Sequence, residues 1–188
     1  MTGSGSTERE KMIRGELYLA SDPELVAARV RARRVFARFK ASDPGDAATR
    51  VALMRELFGS VGADAWIEPP FYCDYGSQIL VGAGVFVNFG GVFLDPAPIT
   101  IGDGAQIGPN VQLLTADHPL DARVRSAGPE LARPIDIGKR VWLGGGVIVC
   151  PGVSIGDDST IGAGSVVTRD VPAGVVAVGN PCRVIRTL

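Results

Sequence analysis

His118 is the only histidine in the chain. An imidazole titrates near neutral pH and can accept a proton from a weak nucleophile such as a hydroxyl while that nucleophile attacks. A lone histidine can equally serve as a structural side chain, so its setting decides between the two. A single histidine also excludes a three-histidine zinc site. Cys73, Cys150 and Cys182 are odd in number, widely spaced and without a CxxC pair, which argues against a disulfide framework and a zinc knuckle and leaves structural thiols. No Cys/His/Asp/Glu clustering suggests another metal site.

The elements that must position His118 follow a six-residue beat. Ile137, Leu143, Val149, Ile155, Ile161 and Val167 recur at every sixth position, usually with glycine next, and the beat also occurs at Ile101 and Ile107 and at Val81. A helix returns to one face every 3.6 residues and a strand every two, so a period of six requires a unit of one short strand and one tight turn. Stacked units bury the aliphatic position, and Val141, Val147, Val153, Ser159 and Ser165 supply a second small inward layer. The spacing predicts a mainly β fold, a parallel β-helix with three hexads per coil.

Between Thr115 and Pro134 the beat disappears, and His118-Pro119 and Gly128-Pro129 take its place. This is an excursion from the coil, and loops leaving a rigid scaffold commonly carry chemistry. Upstream, residues 1–9 read as a mobile leader and 10–60 as a helical segment. Asp22-Pro23-Glu24 has the grammar of a helix start, continued by Leu25, Val26, Ala28, Val30 and Phe36. A second start at Asp43-Pro44 leads through Val51, Leu53, Met54, Leu57 and Phe58 to Gly59. Helices placed before a β-helix cover the unpaired strand edges at its end. The solenoid domain then runs over 61–188, with its loop at 115–134.

The chain has 188 residues and a formal net charge of −1, with no long basic tract, which disfavours a nucleic-acid partner. Arg29, Arg31, Arg33, Arg34 and Arg38 are the densest basic patch; a solvated helix face or subunit contact is favoured over polyanion binding. No apolar run approaches the ~20 residues of a membrane span, and the first ten residues lack a secretory apolar core. The expectation is a cytoplasmic protein.

Lys11 to Tyr18, Ile67 to Phe71, Cys73-Asp74-Tyr75-Gly76, Asn88-Phe89, His118-Pro119, Val141 to Gly145 and Gly179 to Ile185 together resemble the maltose and galactoside O-acetyltransferase branch of the hexapeptide-repeat acyltransferases, which includes a nodulation acetyltransferase. The resemblance spans nearly the whole chain from Glu10. It implies a left-handed coil, against the usual right-handed preference of parallel crossovers. It also implies acetyl-CoA as donor, no metal, a sugar hydroxyl as acceptor, and a homotrimer with active sites between subunits.

The same resemblance implies roles for individual residues. His118 would be the general base. Asn88 would fix the acceptor hydroxyl or support the oxyanion, or else it merely stabilises a coil turn. Asp74 and Asp95 would bind the acceptor, since a carboxylate can take hydrogen bonds from neighbouring sugar hydroxyls; the alternative is that they satisfy turn backbone. Trp142, Gly145, Ala163, Thr168, Arg169, Arg183 and Arg186 would line acetyl-CoA, with an apolar wall, close backbone and phosphate-binding forks. For Gly145 and Ala163 the repeat's own need for small residues competes with that role. Lys139 and Arg140 are weaker phosphate candidates.

The chain departs from the branch where Leu19 and Ala20 stand in place of acidic positions near the acceptor. Two other functions stand beside this one: a xenobiotic or antibiotic O-acetyltransferase on the same scaffold, whose less polar acceptor Leu19 and Ala20 would suit, or a non-catalytic β-helix used for assembly, against which His118 and Trp142 speak.

Overall fold

The structure is a computed structural model that describes residues 6–188. The leader expected over 1–9 lies outside the described residues for 1–5. Helix α1 (Glu8–Ile13) begins within the rest, because Thr7 and Glu10 form a reciprocal capping box at its start. Helix α2 (Pro23–Ala41) starts where Asp22 accepts the Glu24 N–H at 2.9 Å. Its buried stripe is Leu25, Ala32, Val35 and Phe39, whereas Val26 and Val30 face outward. Helix α3 (Ala47–Leu57) starts later than Asp43-Pro44 suggests. Asp43 instead closes a turn onto the Gly45 N–H, and Asp46 caps the helix through the Thr49 N–H.

The remainder is a β-solenoid of about six turns with three parallel sheets. The first face holds Ser60–Val61, Ile79–Val81, Ile99–Ile101, Ile135–Ile137 and Ser154–Ile155. The second holds Trp66–Ile67, Phe86–Val87, Gln106–Ile107, Trp142–Leu143, Thr160–Ile161 and Val175–Val178, closed by antiparallel Arg183–Thr187. The third holds Phe71–Cys73, Gly91–Leu94, Gln112–Leu114, Ile148–Val149 and Val166–Val167.

The hexad positions Ile137, Leu143, Val149, Ile155, Ile161 and Val167 are all buried, as are the five residues of the second inward layer. Three hexads per coil holds for the later coils, where Ile137 pairs with Ile155. In the earlier ones Val81 pairs with Ile101, twenty residues on. The two additional residues widen the corner between the third and first faces, around Asp95 to Pro98. That same corner releases the excursion.

Glycine after the aliphatic position is a backbone requirement. A Cβ on Gly144 would lie 2.6 Å from the Ala163 nitrogen in the next coil, closer than real carbons approach. The helical cap is fastened to the first coil by Arg50, which is only 5% exposed. Its guanidinium lies over the Phe39 and Trp66 rings, donates to Ser42 and approaches Glu68 at 3.8 Å. Nothing in the helix's apolar pattern announced this arginine.

Candidate active site

The excursion is a built element. Ala116–Asp117 and Pro129–Ala132 pair antiparallel, and helix α4 (Ala122–Ser126) sits at the tip. The N-terminal strand Tyr18–Leu19 adds to the other side of Pro129–Ala132, so the helical segment and the loop share one three-stranded sheet. Tyr18 is buried and its hydroxyl donates to Glu130 at 3.1 Å. Burial, then the Glu130 charge, pushes its phenol further up, so it stays a neutral donor.

His118 is exposed and follows this short ladder directly. Asp117 holds its base: one carboxylate oxygen accepts the His118 backbone N–H at 2.9 Å, and the other accepts from Arg133 at 2.6 Å. The pair crosses the neck of the excursion, with Arg133 on the returning arm. Neither residue stands out in the sequence, since their relationship appears only when the two arms pair.

Each earlier coil turns the same corner with a polar brace. The Asp95 carboxylate accepts backbone N–H groups from Asp74 at 3.0 Å, Tyr75 at 2.8 Å and Gln78 at 3.3 Å. Thr115 accepts the Ala97 N–H at 3.0 Å and donates to the Leu94 carbonyl at 2.8 Å. Asp95 is 0% exposed and thus takes its alternative reading: it holds the corner backbone, and an acceptor cannot reach it. Burial pushes its carboxyl up to about 7, against the three N–H groups that pull it down.

Asp74 remains half-buried on the outside of that corner. Burial raises its carboxyl, Arg29 lowers it, Glu130 raises it and Arg33 lowers it, with a net upward shift. Arg29 donates to the Tyr75 hydroxyl at 2.8 Å and to the Ala20 carbonyl at 2.6 Å. Most of the basic patch on α2 is thus committed inside the chain, Arg31 and Arg38 being held by Glu56. Glu130 is a carboxylate that sequence reading missed. It lies opposite Tyr18, on the strand that also pairs with Leu19.

The other expected site residues lie elsewhere. Asn88, Gly145 and Ala163 occupy stacked turns from the second face to the third, the turn at 108–111 lying between those of Asn88 and Gly145. Asn88 accepts the Phe89 N–H at 2.7 Å through its side-chain oxygen, so it does stabilise its turn. Its amide nitrogen donates to no protein group among the described residues. Trp142 projects outward from the second face, 56% exposed, between Gln106 and Thr160 of the neighbouring coils. Arg186 and Arg183 are exposed on the closing strand, opposite Val176 and Val178.

Thr168 and Arg169, by contrast, are exposed at the corner from the third face to the first, in line with Asp74 and His118. Lys139 and Arg140 are engaged by Asp103 at 3.3 Å and Asp158 at 2.6 Å. Apart from buried Asp95 and from Trp142, Arg183 and Arg186 on the second face, the expected residues therefore divide between two edges of one triangular prism. His118, Asp74, Thr168 and Arg169 are on one; Asn88, Gly145 and Ala163 are on the other, beside Trp142. The whole third face separates them.

That face carries outward Tyr72, Val92, Leu94, Leu114, Ile148 and Val166 with Gln112 among them, whereas the first carries Ser60, Leu80, Thr100, Asp136 and Ser154. The three cysteines are unpaired. Burial raises the thiols of all three, which keeps them protonated and weakly nucleophilic. No group of three or more His, Cys, Asp or Glu side chains among the described residues could hold a metal ion. No helix among them is long and apolar enough to cross a membrane.

Residues 11–62 match the maltose acetyltransferase hexapeptide capping motif, and residues 134–169 match the bacterial transferase hexapeptide with six repeats. Nodulation protein L of Rhizobium meliloti is 53% identical over 179 residues, covering 95% of this chain and 97% of that protein. The crystal structure of a maltose O-acetyltransferase from Clostridium difficile 630 superimposes with a TM-score of 0.96 at 47% identity, over 97% of this chain and 98% of that one. A hexapeptide-repeat acetyltransferase of Vibrio cholerae, complexed with acetyl coenzyme A, gives 0.90 at 43% identity over 97% and 99%.

Proposed function

The chain belongs to the maltose and galactoside O-acetyltransferase family of hexapeptide-repeat acyltransferases, and from that premise we propose that it transfers acetyl from acetyl-CoA to a sugar hydroxyl by direct attack. The observation that carries this reading is His118, the chain's one imidazole, held in the open by the Asp117–Arg133 brace at the neck of the only long break in the repeat.

His118 takes the proton of the acceptor hydroxyl as its oxygen attacks the thioester carbonyl. The C–S bond then breaks, and the proton passes to the departing sulfur, giving the ester and free CoA thiol. Asn88 offers its unengaged side-chain N–H groups to the oxyanion or the acceptor. The pantetheine arm runs past Gly145 and Ala163, where small residues admit a ligand close to backbone, with Trp142 as its apolar wall. Arg169, Arg183 and Arg186 are the forks offered to the phosphates, Arg183 also donating one N–H to the Cys182 carbonyl at 2.8 Å, and Thr168 lies beside the first of them. Asp74, with Glu130 nearby, faces the acceptor. We place the enzyme in the cytoplasm.

One chain holds the two halves of this site on different edges, so the site is completed between copies. A closed three-fold ring with the apolar third faces turned inward brings the His118 edge of one copy to the Asn88 edge of the next. The test is a panel of sugars and glycosides followed by thiol release from acetyl-CoA. Acceptor-dependent thiol release with a sugar ester as product is expected; release by no sugar, or only by non-sugar xenobiotic alcohols, overturns the sugar reading.

A further inference from the structure

Two exposed apolar side chains flank the divided site. Leu120 is 95% exposed, two residues after His118, and Phe89 is 54% exposed, directly after Asn88. Neither sits on slack backbone. Arg125 donates to the carbonyls of Pro119 at 2.9 Å and Leu120 at 3.2 Å, and Asp121 caps the following helix. Phe89 is held by its N–H to Asn88 and by its carbonyl, which accepts from the Asn110 N–H at 2.8 Å. A well-fixed loop that projects a leucine almost wholly into water presents a feature to be covered.

Resting on the composite site described above, we propose that Leu120 of one copy packs against Phe89 of the next and sets the spacing between His118 and Asn88. Leu120 lies two residues from His118 and Phe89 one residue from Asn88, so an arrangement that joins His118 and Asn88 around one acceptor leaves Leu120 and Phe89 within reach of each other. The occupant of each apolar position is thus a second copy of this chain. The contact excludes water from the thioester and locks the loop that carries the base, so Leu120 is a positioning residue and touches no reacting atom.

The test joins the two positions covalently. Subunits carrying Leu120→Cys are mixed with subunits carrying Phe89→Cys and treated with a short bis-maleimide, alongside each variant alone. Both positions are exposed, so the coil is expected to persist, and light scattering checks the assembly. Cross-linked pairs between copies in the mixture, absent from the single-variant controls, are expected. Separately, Leu120→Ser should lower kcat roughly tenfold with the KM for acetyl-CoA unchanged, and Leu120→Met should restore most of it. A trimer that gives no cross-link, or a Leu120→Ser enzyme with wild-type kcat, overturns this contact alone. An active monomer overturns the contact and the composite site together.

Discussion

Asp117 and Arg133 meet at 2.6 Å across the neck of the excursion, one residue before His118 on the outgoing arm and at the end of the returning one. The second Asp117 oxygen takes the His118 N–H. A single carboxylate thereby couples closure of the loop to the backbone position of the imidazole. The acid fixes the main chain at His118, and the histidine itself stays exposed.

Replacing His118 by alanine should reduce turnover by roughly 10²–10⁴-fold, the ordinary worth of a general base, while acetyl-CoA affinity stays near wild type. Titration calorimetry and steady-state thiol release measure the two. Most of the turnover surviving would remove the imidazole from the chemistry.

Arg133→Ala should lower kcat by a smaller factor, roughly tenfold, because it loosens the neck without removing the base. The pair is exposed on the Arg133 side, and exposed ion pairs contribute only about 0–1 kcal/mol. The melting temperature should therefore hardly move. A large loss of melting temperature with unchanged kcat would make the pair purely structural.

Mixed assemblies test the division of the site. His118→Ala and Asn88→Ala should each be nearly inactive alone. Dissociated and reassembled in equal amounts, they should regain about a quarter of wild-type sites if neighbouring copies supply the two residues at random. Activity that stays at the level of the separate variants would mean that both residues act within one chain.

Asp95 has a raised carboxyl in the folded state, up to about 7. A folded-state value above the unfolded one means the native protein holds the extra proton, so this contribution is complete below pH ~4 and fades as pH rises through about 7. The wild-type melting temperature should fall between pH 5.5 and 8, and Asp95→Asn should flatten that dependence. Parallel curves for the two proteins would show that Asp95 is ionised throughout.

Ala20 directly follows the strand that pairs with the loop, and the resemblance to the galactoside branch implies an acid at this position. Arg29 already reaches the Ala20 carbonyl at 2.6 Å, so a carboxylate placed there has a cation within reach. Ala20→Asp should raise kcat/KM for glucose or maltose and leave the KM for acetyl-CoA alone. Efficient acetylation by wild type, with no change in the variant, would make the departure neutral for the acceptor.

The hexad beat by itself determined the solenoid, because one buried aliphatic per six residues has few other solutions in a chain. Its interruption at Thr115 to Pro134 located the loop, and the solitary His118 named the base candidate. The family was legible in motifs such as Gly179-Asn180-Pro181-Cys182-Arg183.

Only the tertiary structure decided which carboxylates are buried and which stay accessible. Asp95 and Tyr75 lie twenty residues apart and meet because a coil returns to the same corner, so a residue suited to sugars is used up on backbone. Tyr18 meets Glu130 across 112 positions, and Arg50 meets Trp66 across the end of the solenoid. Periodicity specifies which side chains point inward on each coil. Which corner each turn occupies depends on the cumulative residue count around the stack, and that count placed His118 and Asn88 on separate edges.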